Sequence, residues 1–155
     1  MQLCLSDPSL LKTQAYIDGQ WVDADDGARF AVTNPANGEL VAEVAKMGGA
    51  ETARAIAAAS RSMKEWARKP AKARAGILRK WFDLLMENQE DLAIIMTTEQ
   101  GKVLAESRGE IAYGASFVEW FGEQAKRIDG DVIPGPAPDK RIVCIKQPVG
   151  VVGAI

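Results

Sequence analysis

An α/β fold is predicted by three features of the chain. Short apolar runs punctuated by turn residues occupy positions 15–44. Apolar residues then recur with the 3.6-residue period of amphipathic helices over about positions 50–127. The segment 149–155 is apolar on both faces, as a strand buried inside a parallel sheet is.

Each element follows from local chemistry. Ala15-Tyr16-Ile17 runs into the turn Asp18-Gly19-Gln20 and returns as Trp21-Val22, before a second turn at Asp25-Asp26-Gly27. Phe30-Ala31-Val32 reads as a strand closed by Asn34-Pro35-Ala36-Asn37-Gly38, and positions 40–44 as one more. In the first helix Ala53, Ile56, Ala57, Ser60, Met63 and Ala67 share one face, which predicts that this face packs. Pro70 suits the first turn of a second helix whose inner face carries Ala75, Leu78, Phe82 and Leu85. Asn88 can cap a third helix bearing Leu92, Ile95 and Met96, and Gly101 ends it. A longer helix from about position 102 aligns Leu104, Ile111, Ala115, Val118, Gly122 and Ala125. Asp129-Gly130-Asp131 and Pro134-Gly135-Pro136-Ala137-Pro138 are turn or loop material. The β-branched run Arg141-Ile142-Val143-Cys144-Ile145-Lys146 then predicts an exposed arm or hairpin.

Val149-Gly150-Val151-Val152-Gly153-Ala154-Ile155 is an unpunctuated apolar strand at a chain end, where solvated residues are usual. The expectation is a chain cut short in its first core strand. A complete domain ending on a core strand is the alternative.

Composition removes whole classes of function. A chain of 155 residues can bury about 70% of its unfolded surface. Its 47% hydrophobic and 26% charged content excludes wholesale disorder. A net charge of −2 offers no attraction to nucleic acid or to an anionic membrane. The absence of histidine eliminates Ser–His, Cys–His and histidine-ligated metal arrangements together. Two cysteines, Cys4 and Cys144, are too few for a disulfide scaffold. Positions 1–11 contain Asp7 and Pro8 and no basic start, so no secretory signal is expected, and no apolar run approaches a membrane span. A soluble cytoplasmic protein is the expectation.

A self-contained active site is hard to assemble from these residues. No G-x-G-x-x-G or G-x-x-x-x-G-K-[ST] occurs, and Gly101-Lys102 lacks the earlier glycine of a phosphate loop. Cys144 alternates within an apolar run with no base nearby, and Cys4 sits in a leader expected to be mobile. Glu99, Glu106, Glu110, Glu119 and Glu123 have Lys and Arg neighbours and read as a solvated helix face. Phe117, Trp120 and Phe121 form a broad apolar surface. Core packing is the expectation for such a stripe, and pocket lining its competitor.

Several local strings carry a more specific message. Tyr16-Ile17-Asp18-Gly19-Gln20-Trp21 resembles the I-[ND]-G-x-W opening of aldehyde dehydrogenases. Asn34-Pro35-Ala36-Asn37-Gly38-Glu39, Arg74-Ala75-Gly76-Ile77-Leu78-Arg79 and Glu99-Gln100-Gly101-Lys102 follow in that family's order. Pro148-Val149-Gly150-Val151-Val152-Gly153-Ala154-Ile155 is similar to the strand that enters its Rossmann-type core. Within the family, Glu110-Ile111 with Tyr113, Ser116-Phe117 and Glu119-Trp120-Phe121 resembles the succinate-semialdehyde subgroup. So do Gly130-Asp131 with Ile133, Lys140-Arg141 and Lys146-Gln147-Pro148. Glutarate-semialdehyde relatives share much of this pattern.

The resemblance implies oxidation of a small aldehyde to a carboxylate with NAD or NADP. A cysteine thiolate attacks the aldehyde, an asparagine amide and a backbone N–H hold the oxyanion, hydride passes to the nicotinamide, and a glutamate-activated water releases the acid. The family's asparagine, nucleophilic cysteine, glutamate and ribose-binding lysine fall after the strand that ends at Ile155. No catalytic residue is therefore assigned here, and neither Cys4 nor Cys144 takes the nucleophile's role. Ile155 matches a position bordering the cofactor. Phe117 and Trp120 lie on a helix that in the family borders the substrate tunnel.

By the same resemblance, positions 1–127 are the N-terminal β segment and helices of the cofactor-binding domain. Positions 128–148 are an oligomerisation arm, and 149–155 the start of the first core strand. The partners implied are a missing C-terminal portion or second polypeptide, and further copies in a dimer or tetramer. No metal is implied. The chain alone is expected to be inactive, and a non-catalytic module that pairs with an intact dehydrogenase is the competing reading.

Overall fold

A computed structural model describes residues 3–154. Among these residues the chain order is a 3-10 turn (Pro8–Leu10), four short strands, four helices and a final hairpin. β1 (Ala15–Ile17) and β2 (Gln20–Val22) form an antiparallel hairpin with Tyr16 opposite Trp21. The turn needs left-handed backbone at both central residues. Asp18 and Gly19 supply φ values of 52° and 83°, which fits the twist of the flanking strands. The Tyr16 and Trp21 rings then lie 5.1 Å apart.

β3 (Arg29–Thr33) and β4 (Leu40–Ala45) form a second antiparallel pair, with Phe30 opposite Val44 and a register shift between Val32 and Thr33. Asn34 organises their connection by accepting the Ala36 N–H at 2.9 Å, and Gly38 adopts a φ of 74°.

α1 (Gly49–Arg68) begins where Glu51 reaches back to the Gly48 N–H at 3.0 Å. The other oxygen of Glu51 accepts the Asp25 N–H at 2.9 Å, which fastens the helix start to the loop after β2. The packed face of α1 differs from the expected one. Ala58 is buried and Ala55 and Met63 half-buried, while Ala53, Ile56, Ala57, Ser60 and Ala67 are exposed. The helix has alanines on several faces, so periodicity alone favoured the stripe through Ile56. The hairpin β1–β2 lies over the side of α1 that carries Ala58, with Ala55 and Ala59 on one flank and Ala57 on the other.

α2 (Ala71–Glu87) starts one residue after Pro70, and α3 (Gln89–Gln100) ends at Gly101 with φ 75°, the left-handed cap expected of glycine. Arg74 on α2 closes the end of α1, donating to the carbonyls of Lys69 at 2.7 Å and Ala67 at 3.3 Å. Asn88 stands at the start of α3, but its side chain does not cap it. With φ −101° and ψ 15° the backbone is not in the extended form that aims a cap forward, and the Asn88 amide donates back to Leu84 O at 2.8 Å.

α4 (Leu104–Gln124) packs against α2 and α3. Its inner face carries Ser107, Ile111, Ala115, Val118 and Gly122, largely as expected. A Cβ at Gly122 would lie 3.3 Å from Leu78 Cβ and 3.8 Å from the Ala75 carbonyl oxygen, so α4 approaches α2 closely at a glycine. Ser107, fully buried, shares a 2.8 Å hydrogen bond with Thr97.

β5 (Asp131–Pro134) and β6 (Arg141–Cys144) form the anticipated exposed hairpin, with Val132 opposite Val143. Residues 149–154, expected to open a core strand, form none: they have no ladder partner, and Val149 is 95% exposed. The leader also departs from expectation. Residues 3–13 are held against the fold rather than free, with Leu3, Leu5, Leu10 and Leu11 half-buried. No helix among the described residues is long and apolar enough to cross a membrane.

Candidate functional site

The outer face of α4 is built by spacing. Tyr113, Phe117 and Trp120 stand at i, i+4 and i+7, so their side chains project from one side of the helix. Ala115 and Gly122 project from the opposite side, toward α2 and α3. Once those small residues are packed, the rings have nowhere to go but outward. Tyr113 is 67%, Phe117 47% and Trp120 62% exposed. The expectation of core packing for this stripe is thereby overturned. Tyr113 and Phe117 meet edge to face with centroids 4.9 Å apart, a favourable quadrupole arrangement that stiffens both rings.

Beside them opens a cleft of about 650 Å³, lined by Ser116, Phe117, Glu119, Trp120, Phe121 and Glu123. Phe117 and Trp120, the two residues singled out from the sequence, line this one cleft. Tyr113 extends the same aromatic face and was not singled out, although its i, i+4 relation to Phe117 was visible. Ile155, matched to a position beside a cofactor, lies outside the described residues.

The polar rim is already paired. Glu119 meets Arg79 at 3.1 Å, and Arg79 also binds Asp83 at 3.0 Å. Glu123 lies 3.6 Å from Lys126 and 4.0 Å from Arg127. Among the described residues no free cation lines the cleft, so it offers an apolar wall rather than a grip for an anionic group. A second cleft of about 490 Å³ has Trp66, Leu78, Phe121 and Ile128 as apolar lining, with Arg74, Arg127 and Lys146 around it.

The strongest electrostatic perturbations lie away from the aromatic face. Arg108 clasps Glu90 with two hydrogen bonds of 2.7 Å and holds its carboxyl below the usual range. Arg54 does the same to Asp25. The backbone N–H groups of Asp25 and Gly48 lower Glu51. These carboxylates fasten loops and helices to one another.

Chemistry beyond binding is sparse. Cys4 and Cys144 are exposed, unpaired thiols, and the chain has no histidine to activate either. Among the described residues no group of three metal-ligating side chains exists. All three sheets are two-stranded and antiparallel. A dinucleotide lies at the carboxyl ends of parallel strands, and the described residues form no such crevice. They do not by themselves fit a nicotinamide cofactor.

Comparison with known proteins supplies the context. The aldehyde dehydrogenase family model matches residues 21–155. The chain is 62% identical over 151 residues to the glutarate-semialdehyde dehydrogenase of Pseudomonas aeruginosa, covering 97% of this chain and 31% of that protein. The crystal structure of succinate-semialdehyde dehydrogenase from Burkholderia pseudomallei superposes with a TM-score of 0.91 at 58% identity, covering 95% of this chain and 30% of that one. An Escherichia coli NADP-dependent enzyme gives a TM-score of 0.90 at 56% identity, with 93% and 30% covered. The chain thus spans about a third of the length of the relatives it matches and corresponds to their N-terminal part. With the ordered sequence motifs, the fold and the family match over residues 21–155 in agreement, the chain belongs to the aldehyde dehydrogenase family.

Proposed function

We propose that the chain is the N-terminal part of a cytoplasmic NAD- or NADP-dependent aldehyde dehydrogenase that oxidises succinate or glutarate semialdehyde. The observation that carries this reading is the close likeness, over nearly the whole chain, to enzymes named for those two substrates. The substrates differ by one methylene, a difference worth about 1–3 kcal/mol in an apolar site. The aromatic face of α4 would act on that difference: Phe117 and Trp120 wall the approach of the aldehyde and exclude water, while the carboxylate is held elsewhere. The β5–β6 hairpin would act as the arm that pairs subunits, since both of its outer strand edges lack partners among the described residues.

On this reading the chain is inactive alone and works with a polypeptide carrying the nucleophile, base and oxyanion donors. The test is co-expression with the corresponding remainder of a semialdehyde dehydrogenase. Formation of NADH or NADPH is then followed with succinate semialdehyde, glutarate semialdehyde and a neutral aldehyde. Turnover of either semialdehyde above the neutral aldehyde supports the reading; a stable complex with no turnover of any aldehyde sinks it. That second outcome is what a non-catalytic interaction module would give. The bare stripe Ile77, Trp81 and Leu84 on α2 is the observation that keeps the module in play.

A further inference from the structure

We propose that residues 3–13 form a clasp seated on Asp91 that couples α3 to the end of β4. Asp91 lies in the first turn of α3 and is only 5% exposed. Its two oxygens accept hydrogen bonds from consecutive backbone groups of the leader, Ser6 N–H at 2.9 Å and Asp7 N–H at 2.8 Å. A nearly buried carboxylate requires donors, and here a single extended segment supplies both.

The leader is shaped for this seat. Asp7 accepts the Ser9 N–H at 2.9 Å, and the 3-10 turn Pro8–Leu10 follows, with Leu11 N–H donating to Pro8 O at 3.3 Å. The chain thereby turns away immediately after presenting its two free N–H groups. Leu3, Leu5, Leu10 and Leu11 are half-buried, while Cys4 between the first two is exposed. The far end of the leader is tied to the end of β4, where Thr13 O accepts the Ala45 N–H at 2.9 Å. One carboxylate on α3 therefore restrains a strap that reaches β4. Release at Asp91 leaves Thr13 and β4 tethered to a free segment.

The experiment uses the full chain with Cys144→Ser and a nitroxide on Cys4, whose thiol is already open to solvent. The parent should show a restricted electron-spin spectrum. Asp91→Ala should convert it to a mobile one, and should speed amide exchange at Ala45 about tenfold, the loss expected for one to two net hydrogen bonds. Because Asp91→Ala also leaves α3 short of a first-turn carboxylate, Ser6→Pro provides a second test. It removes one N–H from the leader and leaves the helices untouched. A mobile Cys4 label and faster Ala45 exchange in Ser6→Pro, with helical circular dichroism unchanged, supports the clasp. A label that stays restricted in Ser6→Pro, or an Ala45 amide that does not respond when the label is freed, overturns it.

Discussion

Replacing Gly101 by alanine should destabilise the chain, and replacing Gly76 by alanine should stabilise it. Gly101 closes α3 with φ 75°, where an L side chain is strained by roughly 1–2 kcal/mol. Its added Cβ would also stand 2.8 Å from Pro35 Cγ, in the turn between β3 and β4. Carbon atoms settle at about 3.5–4.0 Å, so the proline ring must retreat by roughly 0.7 Å or more, an overpacking cost of about 1–3 kcal/mol. The stiffer unfolded chain returns about 0.4–1 kcal/mol. The net loss is about 3 kcal/mol, or a drop of about 6–12 °C in Tm for a chain of this size.

Gly76 offers the opposite balance. It lies inside α2 with ordinary helical backbone, and its Cβ would meet nothing within 4 Å. Alanine there should gain about 0.5–1 kcal/mol. Urea unfolding followed by circular dichroism separates the two, provided the denaturant slope is unchanged. Pro35→Ala then divides the Gly101 penalty, because it removes the clashing Cγ and leaves the backbone strain. A double-mutant cycle should return a coupling of about 1 kcal/mol. Equal signs for the two glycine replacements would refute the backbone argument, and zero coupling with Pro35 would refute the steric one.

Three further outcomes are expected. Trp120→Ala should change the stability of the chain by less than about 0.5 kcal/mol because the ring is exposed. It should also lower kcat/KM of the complemented enzyme about tenfold, read from steady-state kinetics with both semialdehydes. Glu90 titrates below its usual 4.5 in the folded chain because Arg108 holds it, so its stabilising contribution is complete above that pH and fades as pH falls through the lowered value. Arg108→Met should flatten this part of an acid-unfolding profile without altering the neutral side. Arg74→Met should fray the end of α1, with a loss of about 1 kcal/mol and faster amide exchange confined to the last turn, since its guanidinium is the donor to Lys69 O and Ala67 O.

What could be read from the sequence was whatever a few neighbouring residues decide alone. Asp18-Gly19 forces the first hairpin because only a left-handed pair closes it with the right twist, and Gly101 ends α3 for the same kind of reason. What could not be read depended on a partner far away in the chain. The Asn88 side chain chose the α2 carbonyl behind it over the helix ahead, and the leader found Asp91, more than eighty positions on. Residues 149–154 have the composition of a strand, but a strand is completed by its neighbour's hydrogen bonds. The candidate site fell between these cases: the spacing of Phe117 and Trp120 showed that they share a face, without showing whether it is covered.

Periodicity groups side chains into faces and leaves open which face is packed. α1 and α2 each carry two apolar stripes, and α4 carries an aromatic stripe opposite its inner one. In these helices the apolar residues that become fully covered are small ones: Ala58 in α1, Ala75 in α2, Ala115 and Gly122 in α4. The buried apolar side chains among the described residues are all alanines, whereas Ile56, Ile77, Trp81, Phe117 and Trp120 stand outside. Helix axes can approach closely only where side chains are short, and close approach brings the most backbone and Cβ atoms into contact per turn. Large residues then rim the contact and are left half-exposed. In α1 small residues stand on both faces, Ala53, Ala57 and Ser60 on the open one and Ala55 and Ala58 on the covered one, so the partner hairpin decides between them. In α4 the stripe through Ala115 and Gly122 is the covered one, which leaves the aromatic stripe outside, where the candidate site lies.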